Sequence, residues 1–460
     1  MRETIELKIL PKVTNIIYRF TLILKASNME GEQFLAQNRN EFWYPLDNAA
    51  KIYPAITTDE VTSVFRITAN LKKKVNIKML FIAVRSIESR FPYYKVHVKK
   101  GFFWYYFESA NFLTSIETDS KTPCRRFRTR GHLFRILVGD NKLSVEFSHL
   151  LTDGGGAFEY FKTLLVHYFE LTGVEIPADF KHLKVDEAPI PEEFEDAYNR
   201  YFQEDVPALE KRPRAFHLPF ALRSKPRFDV LYAMVASSEI KAKAKERGVS
   251  ITEYLTAIYF FVLQDVWESL PKHSKHRRHR KLAIEVPINL RKLYPSQTMR
   301  NFTLFVIPEI DLSLGHYTFE EIVKTVYHQM QLETDKKVVN KILALNVGGE
   351  RNILVRGIPL LLKSIFMRYL YYAMGSTQYS GTLTNMGAVQ LPEQMTNQID
   401  CFLLTPPPPN KLIKMGCGII SMNEKLVISF CGIVKTREFE KKYIDFLVKE
   451  GIHVKITTNK

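Results

Sequence analysis

At 460 residues, with 46% hydrophobic and 25% charged, the chain has the composition of a soluble globular protein and the length for two domains, each with its own core. The formal net charge of +16 favours anionic partners, yet no helix-turn-helix, zinc-finger or aromatic RNA-binding signature accompanies it, so a nucleic-acid function is not expected. Its four cysteines (Cys124, Cys401, Cys417, Cys431) lack metal-type spacing and no secretory leader precedes them, so no metal, reduced core thiols and a cytoplasmic location are expected.

In chain order, residues 1–40 read as a poorly defined leader; its apolar run Thr14–Leu24 is interrupted by Arg19 and too short to span a bilayer. Glu41–Pro54 reads as an ordered turn before a strand over Val61–Leu71, and Asn76 caps a helix running to about Arg90. Two hairpins follow, one turning at Lys99-Lys100-Gly101, the other at Gly139-Asp140-Asn141. The second delivers a strand with Leu143, Val145, Phe147 and His149 on one face and Ser144, Glu146 and Ser148 on the other. It breaks at Thr152-Asp153-Gly154-Gly155-Gly156, after which Phe158, Phe161, Leu164, Leu165, Tyr168 and Phe169 recur at helical spacing up to Gly173.

A histidine ending an apolar strand face can take a proton from a hydroxyl, since its unperturbed pKa of about 6.5 lies near neutral pH. Asp153 can hold the turn either by pairing with an arginine or by capping the helix start. The glycines, Gly154 and Gly155 among them, leave backbone open to an extended ligand.

The charged, proline-bearing stretch 186–226 reads as a linker between a first half, 41–185, and a second, 227–460. Beyond it come a strand over Tyr232–Ser237 and a short helix Glu239–Arg247. Ser250 and Glu253 then form a capping box for Ile251–Trp267, which is apolar on nearly every side and so belongs at the centre of a core. The basic run Lys272–Lys281 reads as an exposed loop. An apolar strand passes through Val286-Pro287-Ile288-Asn289-Leu290-Arg291 into a loop ending at Arg300-Asn301, and Leu304–Leu312 continues as a strand. Thr318 and Glu321 cap another helix. Ile353–Met374 is apolar with Arg356, Lys363 and Arg368 along it; weak peripheral membrane contact is one reading, and packing against the sheet, with Pro359 as an interruption, is the preferred one. In Tyr379–Pro392, Ser380, Thr382, Thr384 and Asn385 supply donors beside two glycines. Met415–Ser421 and Leu426–Val434 make a buried hairpin, and Arg437–Gly451 a closing helix.

His-Leu-Leu-Thr-Asp-Gly (149–154) resembles the HxxxDG signature of the acyltransferase superfamily with the chloramphenicol-acetyltransferase fold, which includes bacterial alcohol acetyltransferases and peptide-synthetase condensation domains. The condensation domains carry two adjacent histidines; here the first position is Ser148, which points to a stand-alone ester-forming enzyme. The VPINLR and TNMG stretches resemble, in the same order, segments that reach towards the histidine in these acyltransferases.

The resemblance implies two α/β sandwich domains with a tunnel at their interface and His149 midway along it. It implies an alcohol O-acetyltransferase using acetyl-CoA or another acyl-CoA as co-substrate, with no permanently bound cofactor, acting as a monomer. His149 is then the general base, Asp153 its structural support, and Thr384 or Asn385 the oxyanion donor. Gly154, Gly155, Arg291 and Asn301 fall to substrate binding, with Arg291 also expected to pair with Asp153. Two other readings stay open: an N-acyltransferase fed by a carrier-protein thioester, and a non-catalytic binding protein on the same fold. A dinucleotide enzyme is disfavoured, because no GxGxxG follows a strand.

Overall fold

The computed structural model describes residues 42–458 apart from 121, 129–130, 205–206 and 208–211, so the leader expected over 1–40 lies outside the described residues. The first half forms strands β1 (Trp43–Pro45) and β2 (Val64–Leu71), helix α1 (Ile77–Ile87), strands β3 (Val96–Lys100), β4 (Tyr105–Ser109), β5 (Ile116–Thr118), β6 (Phe134–Val138) and β7 (Lys142–Ser148), and helix α2 (Gly154–Leu171). The second half begins with β8 (Asp229–Ala236), α3 (Ser237–Glu246), α4 (Ile251–Glu268), β9 (Lys281–Asn289), β10 (Thr303–Val306) and β11 (Glu309–Asp311). Helices α5 (Phe319–Glu333), α6 (Lys336–Arg351) and α7 (Leu360–Leu370) follow. The chain ends with β12 (Gly381–Ala388), β13 (Ile399–Thr405), β14 (Met415–Met422), β15 (Lys425–Gly432), α8 (Glu438–Lys449) and β16 (Lys455–Thr458).

Local chemistry accounts for several of these boundaries. The Asn76 side chain accepts the Met79 amide at the start of α1, and Leu80, Ala83, Val84 and Ile87 turn inward. Ser250 and Glu253 close a reciprocal capping box on α4, whose buried positions occupy almost its whole circumference. The stretch Leu304–Leu312, expected as one strand, is two short ones, β10 and β11. Both pair with β9, and the Pro308 between them has no N–H to donate.

Two lobes result. One is built on a five-stranded sheet, ordered β13-β2-β7-β6-β5, with α1 and α2 packed together over it. The other is built on an eight-stranded sheet, ordered β10-β9-β12-β14-β15-β8-β16 with β11 alongside β9; its core holds α4 and residues of α5 and α8. The small sheet β1-β4-β3 completes the set.

The lobes are not two consecutive lengths of chain. Strand β13 comes from the 227–460 stretch, yet it pairs antiparallel with β2 and completes the first-half sheet. Its alternate residues face two ways: Phe402 and Leu404 enter the first core, while Cys401 and Leu403 pack on Val230, Tyr232 and Val427 of the other sheet. Behind β13 the sheets approach closely. A Cβ on Gly418 of β14 would sit 2.6 Å from Pro406 Cδ and 2.7 Å from the Leu404 carbonyl oxygen, so the seam excludes a side chain there. All four cysteines are buried and unpaired. Among the described residues no helix is long and apolar enough to cross a membrane.

Candidate active site around His149

Strand β7 lies between β2 and β6, and both its faces are buried. Leu143, Val145 and Phe147 join the apolar core as their spacing predicts. The polar face is enclosed as well: Glu146 Oε1 accepts from Arg66 Nε at 2.8 Å, and its Oε2 accepts from Arg135 Nε at 2.8 Å. At the strand's end the His149 amide donates to the Ser63 carbonyl (2.8 Å) and the chain turns.

The His149 ring is half-buried between two aromatic rings, with centroids 4.5 Å from Phe65 and 5.7 Å from Tyr53. This apolar sandwich disfavours the imidazolium: burial lowers the pKa to about 4, against the opposing pull of the Asp153 charge, the Thr152 backbone and the Asn301 side chain. At neutral pH the imidazole is therefore uncharged and able to accept a proton.

Asp153 performs both of the roles left open for it. Its Oδ1 accepts the Gly156 amide at 3.1 Å and caps α2, which begins at Gly154, so the glycines form the first helical turn and not a loop before it. Its Oδ2 accepts from Arg291 Nη1 (2.8 Å), the Phe302 amide (2.8 Å) and Thr303 Oγ1 (3.0 Å). Burial alone would raise the pKa; the Arg291 guanidinium and these donors hold it below the usual carboxylate value.

Arg291 and Asn301, expected at substrate, are spent on the protein. The arginine also donates to the Thr298 and Arg300 carbonyls (3.0 and 2.6 Å). Asn301 Nδ2 donates to the His149 carbonyl (2.9 Å) and to Asp47 Oδ2 (3.1 Å). Both residues are positioning groups that clamp the loop between β9 and β10 onto the histidine turn. Gly154 and Gly155 are half-buried. The glycine that geometry demands is Gly156, whose Cβ would lie 2.2 Å from the Met299 carbonyl oxygen; close approach there serves this same loop.

Strand β12 approaches the histidine turn from the second lobe. Thr382 and Thr384 lie opposite Gly416 and Gly418 in register, hence on the face turned to the lobe seam. Two residues further on, Met386 Sδ is 3.6 Å from the Cβ position of Gly154, which ties this strand to the histidine turn. Thr384 is half-buried, and its hydroxyl makes no hydrogen bond among the described residues. Asn385 does not share this position: it faces away, its Nδ2 bonded to Thr252 Oγ1 of α4 at 2.9 Å and its Oδ1 accepting the Gly387 amide at 2.8 Å. Alternation along the strand thus puts Thr384 and Asn385 on opposite faces, Thr384 on the seam side and Asn385 towards α4.

Two acids belong to this region that sequence patterning did not reveal. Asp47, fully buried, accepts from the Ala50 amide and Asn301; burial raises its pKa to about 6 against the pull of Arg300. Glu285 of β9 lies opposite Thr382 in register and so shares the seam face. Burial raises its pKa to about 8, only partly opposed by a hydrogen bond with Tyr379, with no neighbouring cation among the described residues to lower it. Tyr53, stacked on His149, lies within electrostatic reach of both acids.

Two surface concavities, of about 490 and 400 Å³, lie elsewhere. The first is lined by Trp267 and the basic loop (Lys272, Arg277, Arg278, Arg280), the second by Arg125, Arg128 and Arg135. Neither is the passage that the family resemblance implies beside His149.

No family model and no curated protein matches the chain. Solved structures do. Polyketide synthase associated protein 5 from Mycobacterium tuberculosis superposes with a TM-score of 0.56 at 13% identity, over 87% of this chain and 96% of that one. The condensation domain of the Monacolin K polyketide synthase gives 0.55 at 10% identity, over 89% and 97%. The trichothecene 15-O-acetyltransferase from Fusarium sporotrichioides gives 0.56 at 11% identity, over 89% and 94%. At these identities the likeness is one of fold: the chain has the two-lobed α/β architecture of condensation domains and chloramphenicol-acetyltransferase-like enzymes.

Proposed function

We propose that the chain is an acyl-CoA-dependent O-acyltransferase that moves an acetyl or other short acyl group from CoA to an alcohol. The observation that carries this reading is the half-buried imidazole of His149, kept uncharged by burial beside the Asp153–Arg291 pair, on a turn that β12 reaches through Met386.

In the proposed reaction, thioester and alcohol meet in a passage between the lobes, which replaces a bimolecular encounter by a positioned one. The alcohol oxygen attacks the thioester carbonyl carbon while His149 takes the hydroxyl proton. The carbonyl oxygen gains the negative charge and accepts a hydrogen bond from Thr384. Collapse of the tetrahedral species breaks the carbon–sulfur bond, and the imidazolium returns its proton to the departing CoA thiolate. Asp153 carries no proton; it holds the turn. Because the imidazole stays neutral down to about pH 4, the acid limb of the rate profile should lie well below the pKa of about 6.5 of a free histidine.

A carrier-fed, amide-forming condensation is the second reading, favoured by the condensation-domain neighbour. Against it stands Ser148, where such domains have a further histidine; its Oγ accepts the Leu150 amide at 3.2 Å. Purified protein with acetyl-CoA and a panel of alcohols and amines tests both. Alcohol-dependent CoA release with an ester product supports the proposal. Amide formation only from a carrier-bound thioester would replace it, and no thiol release from either donor would leave a binding protein on this fold.

A further inference from the structure

Helix α7 is built inside out. Its one lysine, Lys363, is 2% exposed, donates to the Phe103 carbonyl at 3.1 Å and sits 3.5 Å over the Trp104 ring. Burial pushes its pKa down to about 8. Meanwhile Leu361 (66%), Leu362, Ile365 (64%), Phe366 and Tyr369 face outward. A helix that lies on a sheet in water buries the leucines and exposes the lysine, so this polarity requires an apolar neighbour outside the fold. The surface continues through Ile353 (84%) and Leu354 on one side. On the other it meets Phe102 at the tip of the β3–β4 hairpin, whose carbonyl accepts the Leu360 amide at 2.9 Å.

Charge identifies the occupant. From Arg351 to Tyr372 the sequence holds no Asp or Glu, while Arg351, Arg356 and Arg368 are exposed, and at the hairpin tip Lys100 is exposed while Lys99 pairs with Glu108 at 2.9 Å. Apolar side chains ringed by cations match the interface of an anionic bilayer, where acyl chains take up the leucines and lipid phosphates meet the arginines. The location also bears on the site. Helix α7 packs against the short helix Tyr53–Ile56, and Tyr53 stacks on His149.

We propose that the α7 face and the β3–β4 tip dock this protein on anionic membranes, setting the His149 region next to the lipid surface. As an extension resting on the acyltransferase reading, the acceptor or acyl chain would then be a lipophilic molecule that partitions into the bilayer.

The full chain should be tested by co-sedimentation with phosphatidylcholine vesicles, with and without phosphatidylglycerol. Binding is expected to the anionic vesicles and to be at least about tenfold weaker on neutral ones. Leu362→Ser with Phe366→Ser should weaken binding by about tenfold or more while thermal unfolding stays unchanged, because these side chains touch water in the free protein. Arg356→Glu with Arg368→Glu should abolish the preference for anionic vesicles. The proposal is overturned if the full chain does not sediment with anionic vesicles, or if the serine variant binds as the parent does. It is equally overturned if only a chain lacking residues 1–41 binds, or if the face joins two copies of the chain, seen as a dimer that the serine variant splits. None of these readouts depends on acyl transfer, so docking and catalysis can fail separately.

Discussion

Asp153 and Glu285 are carboxylates on opposite sides of one seam, and their surroundings divide them. Asp153 is buried with Arg291, two backbone amides and a hydroxyl, and stays ionised. Glu285 is half-buried without a cation, and at neutral pH most of it keeps its proton. Loss of solvent raises both pKa values; for Asp153 the Arg291 guanidinium, with the Phe302 and Gly156 amides, reverses the sign. The seam therefore carries a fixed anion that braces the histidine turn and a neutral acid that can donate as well as accept.

The sharpest way to break this contrast is to remove the braced partner. Asp153→Ala strands the Arg291 guanidinium at a largely desolvated position and should cost about 3–5 kcal/mol of stability, read from denaturant midpoints. Glu285→Ala strands no charge and should cost clearly less. On the catalytic side, Thr384→Val keeps the shape of the seam but deletes the free donor. Turnover should fall about 10²-fold with little change in the melting midpoint, whereas Asn385→Ala, facing α4, should act mainly on stability. Gly418→Val forces a side chain against Pro406 and should cost about 1–3 kcal/mol by prising the sheets apart.

The gentlest test concerns pH. Folded Glu285 keeps its proton up to about pH 8, whereas in the unfolded chain it is lost near 4.3, so between these values only the folded state binds it and stability falls as pH rises. Glu285→Gln should flatten that slope between about pH 4.5 and 8, measured as the difference in unfolding free energy between variant and parent across the range.

Much of this arrangement is legible in the sequence, because it is local. The caps at Asn76, Ser250 and Thr318 and the break after His149 depend on residues within a few positions of one another. The pairing of Arg291 with Asp153 was legible only through a family resemblance. What depends on distant chain was hidden. Strand β13 has an ordinary apolar pattern, and nothing in Ile399–Thr405 says that its partner is Val64–Leu71. Glu285 reads as a charge interrupting a strand until Thr382 is found beside it. The pattern of α7 shows two faces but not which one turns outward; the expectation that its apolar side packs on the sheet reversed because Lys363 found the Phe103 carbonyl and the Trp104 ring.

The role of His149 is tested most directly by alcohol-dependent thiol release from acetyl-CoA, measured side by side for the parent and His149→Ala, with circular dichroism showing both folded. Loss of the general base should lower turnover by about 10²–10⁴-fold while the fold survives. A histidine variant that releases CoA at the parent's rate would contradict the account.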